Sequence, residues 1–97
     1  MQLLSGAGAG NGSPHEIKQP YNREISQLKT WFVWGTFGGA TVTLEISPNT
    51  EDPPVEWFSV PNASLTARGV MNVEFRAKWV RAVVTGGAGQ SINAELR

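Results

Sequence analysis

From Trp31 to Leu96 the chain is a series of short apolar runs, interleaved with polar residues and separated by glycine and proline turns. In Thr41-Val42-Thr43-Leu44-Glu45-Ile46, the residues Val42, Leu44 and Ile46 point one way and Thr41, Thr43 and Glu45 the other. Successive strand side chains alternate between faces, so this pattern predicts a strand with one buried side. Ser91-Ile92-Asn93-Ala94-Glu95-Leu96-Arg97 repeats it. The predicted class is an all-β, small antiparallel β-sandwich of about six to seven strands, with Val42, Leu44, Ile46, Val73, Val84 and Leu96 in its core.

Lys29-Thr30-Trp31-Phe32-Val33-Trp34 is apolar on both faces, as in a central strand or one covered by a partner. The glycines of Gly35-Thr36-Phe37-Gly38-Gly39 suit a tight turn, which predicts an antiparallel hairpin between 30–36 and 40–46. Ser47 to Pro54 is a loop with three prolines. Strand character returns at Val55–Val60, Pro61-Asn62 breaks it, and Ala63–Gly69 reads as a connector with Leu65 as a core anchor. Val70–Phe75 and Lys78–Thr85 are further strands, and Gly86-Gly87-Ala88-Gly89 turns into the last. Ile25 and Leu28, three apart within Tyr21–Leu28, fit one helical turn or an extended lead-in equally well.

Residues 1–20 differ in composition. Gly6, Gly8, Gly10 and Gly12 alternate with small residues, and Pro14 and Pro20 follow. Little here can be buried, so the reading is a flexible N-terminal arm (1–20) preceding a sandwich domain (21–97). Leu3 and Leu4 at its tip would anchor such an arm on a neighbour. The Gly-x-Gly run does not make a nucleotide loop, because no strand precedes it and no helix pattern follows. No basic, apolar leader opens the chain, and no stretch approaches the roughly 20 apolar residues of a membrane span. The triplets Asn11-Gly12-Ser13 and Asn62-Ala63-Ser64 are read as chance matches to a glycosylation signal.

Ninety-seven residues make one domain, and a domain this small buries only about 60–65% of the surface its unfolded chain exposes. Without cysteine it has neither disulfides nor thiolate metal sites to help, which favours support from copies of itself or from a partner. Eight basic and eight acidic residues cancel, so the basic excess that nucleic-acid binding draws on is missing. Neither nucleic acid nor a membrane is expected as a partner.

Catalytic and metal chemistry find little support. Glu45, Glu51, Asp52 and Glu56 surround the proline-rich loop, but prolines follow the Glu-Asp pair where a calcium loop needs alternating ligands. His15 is the single histidine and lies in the arm, away from partners that a triad or zinc site must hold rigidly. No enzyme activity, metal or cofactor is expected. Of Trp31, Trp34, Trp57 and Trp79, two or three should fill the core and one or two lie at an interface, where Trp and Arg are enriched. Trp79, flanked by Arg76, Lys78 and Arg81, is the leading interface candidate. The partner-binding set is therefore Leu3, Leu4, Arg76, Trp79 and Arg81.

One resemblance covers about two-thirds of the chain, from Trp31 onward. The stretch Trp34–Pro48, the single Trp57, Ala63-Ser64-Leu65-Thr66 and Val80–Gly87 together resemble small β-sandwich virion proteins of tailed bacteriophages, of the capsid decoration (cement) type. The resemblance implies a structural protein made in the host cytoplasm. It would dock on the major capsid protein or other virion proteins, often as a trimer, with no active site to carry over. A tail, neck or fibre component and a carbohydrate-binding β-sandwich are the alternatives. Sugar recognition requires at least two tryptophans exposed on one face.

Overall fold

The computed structural model describes residues 1–17, 27–49, 51 and 53–97. Among them the strands are β1 (Gln2–Ala7), β2 (Gly10–Asn11), β3 (His15–Glu16), β4 (Gln27–Thr36), β5 (Thr41–Ser47), β6 (Phe58–Leu65), β7 (Gly69–Phe75), β8 (Trp79–Thr85) and β9 (Ser91–Leu96). They form two antiparallel sheets, ordered β1-β9-β4-β7 and β2-β8-β5-β6, with β3 also on β8. The alternation that predicts them is the alternation that buries them. Val42 and Leu44 of β5, Val73 of β7, Val84 of β8 and Leu96 of β9 enter one shared core with Trp31 and Ile92, while Ile46 packs against it partly exposed. The chain is an all-β sandwich.

The expected hairpin between 30–36 and 40–46 does not form. β4 pairs with β7 and β9, while β5 pairs with β6 and β8, so the two strands lie in different sheets. Chain-adjacent strands change sheet again from β6 to β7, from β7 to β8 and from β8 to β9. The glycine turns serve this crossing. Gly38 has φ of 57°, and the Ala88 N–H donates to its carbonyl at 3.1 Å, so the β4–β5 turn packs on the β8–β9 turn. A Cβ on Gly38 would lie 2.2 Å from the Ala88 carbonyl oxygen. Trp31 and Val33 on β4 and Val42 and Leu44 on β5 thereby enter the core from opposite layers.

The N-terminal segment is not a free arm, and the boundary at residue 20 is corrected accordingly for residues 1–17. β1 pairs with β9, and β2 and β3 both pair with β8, so this segment borders both sheets. Leu3 and Leu4 are 4% and 5% exposed and belong to the core. Two adjacent residues can both turn inward because β1 shifts register against β9 on either side of Leu4. The glycines that read as flexibility are steric requirements instead. Gly12 donates its N–H to the Ala82 carbonyl at 2.7 Å, and a Cβ there would come 2.6 Å from that same oxygen. Most of Tyr21–Leu28 lies outside the described residues.

Pro61-Asn62 bends a strand without ending it. β6 runs through both residues to Leu65, correcting the expected connector. Thr43 pairs with Ser64 and Glu45 with Ser59, which leaves residues 60–63 opposite Leu44 alone. Asn62 takes φ of 65° in this bulge. Proline is tolerated because β6 is a sheet edge.

Candidate functional site

The outward face of the second sheet is covered by the chain's own proline-rich loop. Asn49 organises that loop: its Oδ1 accepts from the N–H groups of Val55 and Glu56 at 2.9 and 2.7 Å. The Asn49 carbonyl accepts from the Trp79 indole N–H at 3.1 Å, and Trp79 is buried. Arg81, outward on β8, pairs with Glu45 at 2.7 Å and stacks 4.2 Å from the centre of the Trp57 ring. Two of the predicted partner residues, Trp79 and Arg81, therefore make their contacts in cis. Leu3 and Leu4 are spent in the core. Of the predicted set, only Arg76, on the β7–β8 connection, is exposed, and it too takes part in an interaction within the chain.

His15 shares a shallow depression with Ser5 and Ser13, yet among the described residues no hydrogen bond joins either hydroxyl to the imidazole. Burial, and then the nearby N-terminal charge, lower its pKa below the ordinary value of 6.5. Among the described residues no group of three or more His, Asp or Glu side chains could hold a metal ion. Glu45 of the acidic cluster is committed to Arg81, and Asp52 lies outside the described residues. Nor is any described helix long and apolar enough to cross a membrane.

The outward face of the first sheet is different. Leu28, Thr30, Phe32 and Trp34 alternate with the buried Trp31 and Val33 along β4. Phe32 is 38% exposed and Trp34 37%, although β4 is an inner strand. Val70 stands directly across from Phe32, and Thr30 donates its hydroxyl to Asn72 Oδ1 at 2.9 Å in the next outward row. Phe32, Val33, Trp34, Arg68, Gly69 and Val70 line an open groove of about 400 Å³. Phe32, Trp34 and Val70 form one exposed apolar patch, and the Thr30–Asn72 row separates Leu28 from it. This face carries one tryptophan; Trp57 lies beneath Arg81 on the other sheet. The signal for it is the apolar run Trp31–Trp34, which fills both faces of one strand.

Comparison with family models, with curated proteins and with solved structures found no match.

Proposed function

We propose that this chain is a structural virion protein of the capsid decoration type, which docks on a bacteriophage head and bridges neighbouring capsid subunits. The observation that supports it is the apolar outward face of the first sheet, Leu28, Phe32, Trp34 and Val70. Such a face contributes area-proportional, weakly salt-dependent binding, and the balanced charge of the chain adds little long-range steering. A protein that binds only the assembled lattice stabilises it by mass action, about 2.7 kcal/mol per site at a hundredfold excess over Kd. The carbohydrate alternative is not favoured, because this face exposes one tryptophan, Trp34, where sugar stacking calls for two.

The test is labelling of the chain on phage particles, with the double variant Phe32→Ser/Trp34→Ser as control. Head labelling that the double variant loses supports the decoration role. Labelling confined to the tail or fibres moves the protein there, glycan-array binding lost in the same variant favours sugar recognition, and absence from particles overturns the virion reading.

A further inference from the structure

Among the described residues, three of the four lateral sheet edges are interrupted. β1 shifts register twice against β9. The β2–β3 edge breaks at Gly12-Ser13-Pro14, where its register on β8 moves by one. β6 carries Pro61 and the bulge at Asn62. Interruptions of this kind keep the unpaired N–H and C=O groups of an edge from recruiting another strand. β7 has none. Its seven residues pair with β4 in unbroken register from Gln27↔Phe75 to Val33↔Gly69. It contains neither proline nor lysine, and among the described residues it has no strand on its far side.

We propose that β7 is a self-association edge, along which a second copy of this chain adds antiparallel and joins the two first sheets into one. Charge selects both the occupant and the register. Arg68 lines the outward groove beside Val70, and Glu74 is exposed on the outward side of β7, opposite Leu28. Among the described residues neither makes an ion pair within its own chain. In a pair centred on Met71, Arg68 of each copy falls opposite Glu74 of the other, and Val70 opposite Asn72. A two-fold axis then repeats every contact, as an isologous interface must. Centring on Asn72 instead sets Arg68 against Arg76. Slipping by one residue sets outward side chains against inward ones, which the pleat forbids while one face is buried.

This pairing is independent of the virion reading, because it uses the edge of the sheet and leaves the face free. It places the Phe32–Trp34–Val70 surfaces of both copies on the same side. The product is a two-fold dimer, in place of the trimer that the phage resemblance implies.

Sedimentation equilibrium of the full chain should show a monomer–dimer equilibrium. Arg68→Glu and Glu74→Arg should each weaken it by roughly tenfold or more, since each places like charges opposite one another twice. The double variant Arg68→Glu/Glu74→Arg should return to near the wild-type constant. The absence of cysteine allows a covalent check of register. Opposed strand residues lie about 4.5–5.5 Å apart at Cα, so mixed Val70→Cys and Asn72→Cys chains should form a mixed disulfide faster than either forms its own. This cross-link decides alone should a charge variant fail to fold. A wild-type chain that stays monomeric into the millimolar range, a trimer, a double variant no tighter than the singles, or preferred Asn72→Cys self-coupling would each overturn the proposal.

Discussion

Arg81 and Trp57 form a stacked pair, with the guanidinium carbon 4.2 Å from the ring centre, and Glu45 holds the same guanidinium at 2.7 Å. The contact clamps the loop after β5 onto the outward face of β8. Because the Arg81 side chain is mostly covered, the pair is screened less than a surface ion pair. Arg81→Ala should lower stability by about 1–2 kcal/mol, and Arg81→Lys should recover only part of that, since an ammonium does not stack as a planar guanidinium does. Urea midpoints of the wild type, Arg81→Ala, Trp57→Ala and the double variant Arg81→Ala/Trp57→Ala form a double-mutant cycle; zero coupling between Arg81 and Trp57 would remove the clamp.

The N-terminal segment and the central strand β5 carry the core together. Leu44→Ala and Leu4→Ala should each cost about 2–5 kcal/mol, because both side chains are buried and a domain this small collapses poorly around a cavity. Deleting residues 2–13 should abolish folding, since it strips β1 from β9 and β2 from β8. A cooperative melt of the truncated chain would show that the N-terminal strands are dispensable.

Gly38→Ala should destabilise the chain by roughly 1–3 kcal/mol, through its positive φ and the close Ala88 carbonyl together. Gly8→Ala meets nothing within 4 Å and should change thermal stability far less. Equal melting losses for the two would refute the steric account.

His15 makes stability depend on pH with a definite sign. Its pKa in the folded chain is lowered by burial and by the N-terminal charge, so the folded state takes up this proton less readily than the unfolded one. The contribution is complete above the ordinary value of 6.5 and is lost as pH falls from there towards the folded value. Urea midpoints taken across that interval should decline more steeply for the wild type than for His15→Gln. Parallel declines would mean that other groups carry the slope.

Much of the sandwich is legible because a strand with one buried face must alternate, and Val42, Leu44, Val73, Val84 and Leu96 sit where alternation places them. Pairing is less legible. A glycine turn that doubles back within a sheet and one that crosses between sheets use the same residues, so Gly38 alone does not tell which strand lies beside β4. The N-terminal segment misleads for a related reason: an alternation of glycines suits both a mobile chain and one pressed against backbone, as Gly12 is against Ala82. Leu3-Leu4 breaks the period-two rule because a bulge lets both turn inward. At the candidate site, the cationic and aromatic character around Trp79 does signal a covered surface, but the cover is the loop carrying Asn49 and Trp57. The apolar run Trp31–Trp34 signals the exposed face directly.

The place of β9 has a consequence for the order of events during synthesis. It is the last strand in the chain, yet it lies between β1, the first, and β4. Until β9 leaves the ribosome, β1 has no partner in its sheet and β4 is open along one side. Leu4 and Val33, which both pair beside Ala94, must wait for the same strand. The sandwich therefore closes only after its last strand has been released. Before that, β1 and β4 face the space that β9 will fill.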